Sequence, residues 1–131
     1  MKKIGVINKE IAGLIAGMGH GDMLVVSDAG LAIPDSIKRI DVSICPGLPK
    51  VMDLLKVIRE ELHVEYILVP QLMKKHCPHI QSELKKLYPE AKIRELNTDM
   101  YKERAYQSKA IIRTGEYTAF ANVILVAGVT F

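Results

Sequence analysis

The stretch of this sequence richest in chemical possibility is Gly17-Met18-Gly19-His20-Gly21-Asp22, followed by Ser27-Asp28. Imidazole is the side chain best matched to proton exchange near neutrality, and the glycines on either side of His20 leave it open to a ligand. Asp28 closes the apolar run Met23–Ser27, at the point where open α/β sheets place their ligand contacts. Spacing alone leaves two readings: His20 as a proton-transfer group, or His20 as a solvent-facing residue of a glycine turn. The alternating glycines imitate a phosphate-cradling loop, but they follow a helical segment. A dinucleotide fingerprint follows a strand and opens a helix, so the context argues against phosphate.

A second region lies near the end of the chain, where Thr114-Gly115-Glu116-Tyr117 precedes Phe120-Ala121-Asn122. Asn122 stands directly before a strongly apolar run. Its amide both donates and accepts, which suits a hydroxyl-rich ligand, although a turn-terminating Asn reads the same way. His76-Cys77-Pro78-His79 is the third cluster. Zinc there lacks a fourth ligand, Pro78 bends the chain between the candidates, and Lys74 and Lys75 add positive charge. The cluster reads as a helix junction, and no metal is expected. Lys74-Lys75 and Lys85-Lys86 read as solvated helix faces, and the methionines as core or interface filler.

These groups need elements to hold them. Ile11, Leu14, Ile15 and Met18 fall on one helical face within Glu10–Met18, with Asn8 as its cap and Gly19 as the left-handed residue that ends it. Met23–Ser27 reads as a strand, and Ile40–Ile44 alternates with period two. Pro46-Gly47-Leu48-Pro49 then breaks the chain. Val51, Leu54, Leu55, Ile58 and Leu62 mark a second helix, and Val64–Val69 a third strand. Leu72–Cys77 and Pro78–Tyr88 read as helical, with Pro78 in a first turn. Ala91–Leu96 is a weaker strand, and Asp99–Gln107 a short helix capped by Asn97 or Thr98. Lys109–Arg113 and Asn122–Val129 complete the pattern as two strands close enough in sequence to form a hairpin. Strands alternating with helix-length crossovers predict a single layered α/β domain over residues 1–131, its sheet largely parallel and mixed at the end.

Composition narrows the function. The chain has 131 residues, 49% of them apolar and 25% charged, with a net charge of +3. That excludes disorder as the main state and leaves room for one core. Basic charge is spread out and aromatics are only 5%, which argues against nucleic acid as a partner. No apolar run reaches the ~20 residues a bilayer requires, and Met1–Val6 does not read as a signal peptide. Cys45 and Cys77 share no pairing motif. The expectation is a cytoplasmic protein with two free thiols.

Together, the ordered pieces resemble the ribose pyranase and fucose mutarotase family along almost the whole chain. They are Asn8, Met18-Gly19-His20, Asp22, Asp28-Ala29-Gly30-Leu31 with Pro34, Asp41, Pro46-Gly47-Leu48-Pro49, Arg113-Thr114-Gly115-Glu116, Ala121-Asn122 and Ala127-Gly128-Val129-Thr130-Phe131. The Pro-Gly-Leu-Pro and Arg-Thr-Gly-Glu segments resemble the ribose branch. Gly19-His20-Gly21-Asp22 and Glu103-Arg104-Ala105 are more similar to the fucose branch. The resemblance implies an α/β domain in a ring-shaped homodecamer of two pentamers, with monosaccharide sites at subunit contacts. It also implies cofactor-free interconversion of sugar ring forms, D-ribose foremost. By that resemblance His20 is the proton donor, Asp28 binds sugar, Phe120-Ala121-Asn122 contact it, and Lys102 adjoins the site. Thr98 stands where the ribose branch carries His, and Phe120 where both branches carry Tyr. The alternatives the residues leave are a mutarotase for another sugar such as fucose, or a sugar-binding protein without catalysis.

Overall fold

Short runs of Ile, Leu and Val bounded by Gly, Pro and Asp become strands, and the computed structural model, which describes residues 1–131, joins them in one six-stranded sheet. The elements in chain order are α1 (Lys9–Gly17), β1 (Met23–Ser27), β2 (Arg39–Asp41), α2 (Val51–Ile58), β3 (Val64–Pro70) and α3 (Met73–His76). They continue with α4 (Pro78–Leu87), β4 (Lys92–Leu96), α5 (Thr98–Ala105), β5 (Ala110–Arg113) and β6 (Val123–Ala127). The order across the sheet is β2-β5-β1-β6-β3-β4. The β2–β5, β5–β1 and β3–β4 pairs are parallel, whereas β6 runs antiparallel to both β1 and β3. Five strands therefore share one direction and β6 alone is reversed. This is the expected mixed α/β domain.

Side-chain alternation along the strands feeds two cores. Leu24 and Val26 of β1 point into the larger one, which takes Ile11 and Ile15 from α1, Leu55 and Ile58 from α2, Met73 from α3, and Ile80 and Leu84 from α4. Val25 points the other way, into a smaller core shared with Ile111, Leu68 and Ile124 and covered by Tyr101 and Ala105 of α5. Helices thus cover both faces, which is why β1 and β6 carry apolar residues on both of theirs. No helix is long and apolar enough to cross a membrane.

Local chemistry sets the boundaries. Asn8 caps α1 by accepting from the N–H groups of Glu10 and Ile11, at 3.0 and 3.1 Å. Asn97 caps α5 through the N–H of Met100, and Pro78 opens α4. Three expectations need correction. The positive φ after α1 belongs to Gly21 (+83°), not Gly19, because the chain leaves α1 through an extended Met18 and turns two residues later. The alternating run Ile40–Ile44 pairs only as far as Asp41, whose carboxylate accepts from both the N–H and the hydroxyl of Ser43 and bends the chain away. The last two strands form no hairpin, because β1 lies between β5 and β6.

Candidate functional site

The reversal of β6 builds the site. Parallel strands bring their C-terminal ends to one edge of the sheet, and an antiparallel strand brings its beginning there. Asp28, just after β1, therefore meets Asn122, just before β6, although 94 residues separate them. The two residues hold each other twice. The Asp28 N–H donates to Asn122 Oδ1 at 2.9 Å, and Asn122 Nδ2 donates to Asp28 Oδ2 at 2.9 Å. Asp28 Oδ1 accepts from the Gly30 N–H at 3.0 Å. Both side chains are buried. Burial raises the Asp28 carboxyl above its ordinary value; the hydrogen bonds from Asn122, Gly30 and Leu31 oppose that rise, and the charge of Glu116 adds to it.

Around this pair lies a cavity of about 580 Å³. Its walls include Asp28–Ala32, Pro70, Arg113 and the segment from Glu116 to Phe120, with Asn122. Thr98, Tyr101 and Lys102 project into the wall from α5, since residues three and four apart share a helix face. Glu116 is buried but well satisfied. One carboxylate oxygen accepts from the N–H of Val51, the first residue of α2, at 3.3 Å, and the other accepts from the Thr118 hydroxyl at 2.7 Å. Arg113 ties the wall to the edge strand, donating from Nε to Ala29 O and from Nη1 to Asp41 Oδ2 and Ser43 Oγ. Phe120 adopts a left-handed φ of +63° and rests against the His76 ring, with centroids 4.7 Å apart.

Of the residues singled out from sequence, Asp28, Thr98, Lys102, Phe120 and Asn122 come together in this cavity. Ala121 does not line it. Ala121 is fully buried in the larger core beneath, where its N–H donates to Thr118 O. His20 lies at the opposite edge of the sheet, before β1. Its side chain is 61% exposed, and its Nε2 is 3.0 Å from Glu65 Oε2 at the start of β3. Five residues of extended β1 separate the two edges, roughly 17 Å at the ordinary rise per residue. Asp22, paired with Lys109, is also at the His20 edge. The His76-Cys77-Pro78-His79 cluster is the α3–α4 junction, with Cys77 buried and donating to Ala119 O. Both thiols are free.

Sequence reasoning passed over Tyr101, Arg113 and Glu116 as site residues. The spacing from Thr98 to Tyr101, one helical turn, was the available signal for the first. For Glu116 the only signal was its place in the Arg-Thr-Gly-Glu segment, since nothing local says that a turn glutamate is buried against a distant helix N-terminus.

A sheet covered on both faces, with an acid–amide pair in a cavity at its carboxyl edge, defines an α/β domain whose candidate ligand site lies where such sheets place theirs. The chain belongs to the RbsD / FucU transport protein family, whose pattern matches residues 1–130. It is 44% identical over its full length to all of a D-ribose pyranase from Chloroflexus aggregans, and 40% identical, again end to end, to that of Bacillus subtilis. Its fold superposes on Bacillus subtilis RbsD complexed with D-ribose with a TM-score of 0.96 at 40% identity, covering the whole of both chains. A fucose mutarotase in complex with L-fucose from Streptococcus pneumoniae is more distant, with a TM-score of 0.84 at 25% identity and both chains fully covered.

Proposed function

We propose that this chain interconverts the pyranose and furanose forms of D-ribose, using proton transfer and no cofactor. The observation that carries the reading is the Asp28–Asn122 pair in its cavity, on a chain that matches D-ribose pyranases end to end. Asp28 and Asn122 hold sugar hydroxyls, Phe120 offers an apolar face to the ring, Ala121 sets the backbone between them, and Thr98 and Lys102 close the side. His20 is the proton donor. The protonated imidazole gives its proton to the ring oxygen as the C1–O5 bond breaks, and the anomeric hydroxyl loses its proton to water, leaving the open-chain aldehyde. In closure, O4 attacks C1, the neutral imidazole takes the O4 proton, and water protonates the carbonyl oxygen. No net proton is consumed, and positioned acid–base catalysis of this kind gives about 10²–10⁴-fold.

His20 and Asp28 of one copy are too far apart to share a sugar, so this chemistry joins the two edges of different copies. Head-to-tail contacts of this kind form rings where the rotation between copies closes. Exposed Ile4, Ile7, Val129 and Phe131, all in the two terminal segments, supply apolar surface for such contacts, as do Ile44, Leu48 and Tyr117 beside the cavity edge. The assembly we propose is a homodecamer of two pentameric rings. Two unpaired thiols suit a cytoplasmic setting.

The test is NMR saturation transfer between the anomeric signals of D-ribose, with and without protein. Faster pyranose–furanose exchange, lost in His20→Ala, is the expected result. Exchange unchanged for ribose but faster for L-fucose would reassign the chain to the mutarotase branch. Saturable sugar binding without any acceleration would make it a binding protein.

A further inference from the structure

His20 does not stand alone at its edge of the sheet. Its Nε2 lies 3.0 Å from Glu65 Oε2, and the reach of Glu65 is built into the strand that carries it. Along the β3–β6 ladder Val64 faces Ala127 and Tyr66 faces Val126, so Glu65 is the extra residue of a β-bulge. A bulge interrupts the alternation of a strand and re-aims a side chain. The side chain re-aimed in β3 is the carboxylate that meets the imidazole.

The end of β6 fixes both halves of this pair. The Gly21 N–H donates to Ala127 O at 2.8 Å, and the Ala127 N–H donates to Asp22 O at 2.9 Å, which ties down the loop carrying His20. The next residue, Gly128, donates from its N–H to His63 O at 3.0 Å. A Cβ on Gly128 would stand 2.9 Å from Glu65 Cβ, so glycine is what lets the chain pass this close to the base of the glutamate. The rest of the ring is open to a ligand. The His20 side chain is 61% exposed, and nothing lies within 4 Å of where a Cβ on Gly21 would be.

A carboxylate only accepts hydrogen bonds, so the nitrogen facing Glu65 carries a hydrogen whether the ring is charged or neutral. We infer that Glu65 is a positioning residue for His20, anchoring Nε2–H and making Nδ1 the nitrogen that exchanges a proton with the sugar. The inference rests on the sugar reading above. The proton leaves Nδ1 for O5 as the C1–O5 bond breaks. On closure Nδ1 takes the O4 proton as the O4–C1 bond forms, and Nε2–H stays on Glu65 throughout. Without this anchor the ring rotates and populates its other neutral tautomer, in which Nδ1 has no lone pair to accept the O4 proton. An exposed ion pair adds little to stability, so this role and a structural one have different signatures.

The experiment joins imidazole ¹⁵N NMR to ribose exchange kinetics on the assembled full chain. It compares wild type with Glu65→Ala and Glu65→Gln, and His20→Ala identifies the His20 signals. The expected neutral ring in wild type is a single tautomer, protonated on Nε2. Glu65→Ala is expected to gain a fraction of the other tautomer and to slow exchange at saturating ribose about 10–100-fold. Its ribose dissociation constant should stay within about twofold of wild type, and its Tm within about 3 °C. Glu65→Gln, whose amide oxygen still accepts from Nε2–H, should restore the single tautomer and most of the rate. A wild-type ring protonated on Nδ1, a Glu65→Ala rate equal to wild type, or a loss confined to affinity would each overturn the inference. The wild-type spectrum decides the tautomer even where a variant does not assemble. Any of these results beside normal wild-type exchange defeats the role of Glu65 alone. Wild-type protein that accelerates neither ribose nor L-fucose exchange defeats the sugar reading and this role with it.

Discussion

His20 and Asp28 are eight residues apart in sequence and stand at opposite ends of the same strand, β1, one beside Glu65 and the other beside Asn122. An extended chain makes this separation unavoidable, at about 3.3 Å per residue. A reaction that uses both residues is therefore a reaction between copies. His20→Ala and Asp28→Ala are each expected to abolish ribose ring exchange. Dissociated together and reassembled at equal amounts, the two inactive proteins should recover about a quarter of wild-type activity, the share of contacts that unite an intact His20 with an intact Asp28. No recovery in properly reassembled mixtures would show that the two residues do not share a site across copies.

The two hydrogen bonds between Asp28 and Asn122 make a prediction about stability and titration together. Asn122→Ala leaves the buried Asp28 N–H and one carboxylate oxygen without partners, costing about 2–4 kcal/mol and lowering Tm by roughly 6–12 °C. Asp28 is raised above its ordinary value of 3.8 by burial, so the folded protein holds that proton more tightly than the unfolded chain does. The contribution to stability is fully present below the ordinary value and is lost as pH rises through the raised one. The Asn122 amide opposes the rise, so its removal moves the Asp28 midpoint higher still. Carboxyl ¹³C NMR checks both values, and a wild-type midpoint below 3.8 would contradict the account.

Much of the architecture was legible because local pattern and tertiary role agree. The run Met23–Val26 is apolar on both faces since both are covered, and Ile11 and Ile15 enter the core from the helical stripe that the sequence displays. Two misses were local, the turn at Gly21 and the Asp41–Ser43 contact that ends β2, and the others were not. Pairing of β5 with β1 rather than β6, and burial of Glu116 at the first N–H of α2, depend on contacts that no short window contains. For the site, the residue types at 20, 28 and 122 could be read, while the separation of His20 from the other two required the strand's length and direction.

The two segments that resemble the ribose branch, Pro46-Gly47-Leu48-Pro49 and Arg113-Thr114-Gly115-Glu116, touch in the fold. Gly115 donates to Pro49 O at 2.9 Å and accepts from the Gly47 N–H at 2.6 Å. A Cβ on Gly115 would run into the carbonyl oxygens of Leu48 and Cys45, which are backbone atoms that cannot swing aside. Gly115→Ala is thus expected to cost about 1–3 kcal/mol, lowering Tm by roughly 3–9 °C, and to loosen the wall that Glu116 forms. Gly13→Ala, on an open face in the middle of α1, has the opposite sign and should add about 0.5–1 kcal/mol. Thermal unfolding of the pair checks the contrast, and equal effects would remove the steric explanation.

Phe120 separates folding from binding in a single side chain. Its φ of +63° is strained for a residue with a Cβ, by about 1–2 kcal/mol, and glycine adopts that conformation freely. Against this, Phe120 packs on His76 and lines the cavity beside Asn122, where its ring can stack on a sugar. Phe120→Gly releases the strain and loses the ring. The two changes nearly cancel in stability, so Tm is expected to stay within about 3 °C of wild type. Ribose affinity has no such compensation and should fall about tenfold, the loss of roughly 1.4 kcal/mol of ring contact. Calorimetric titration with D-ribose beside a thermal melt reads both quantities on one preparation. A large fall in Tm with unchanged affinity would mean that the strained backbone at Phe120 serves packing against His76 and not the sugar.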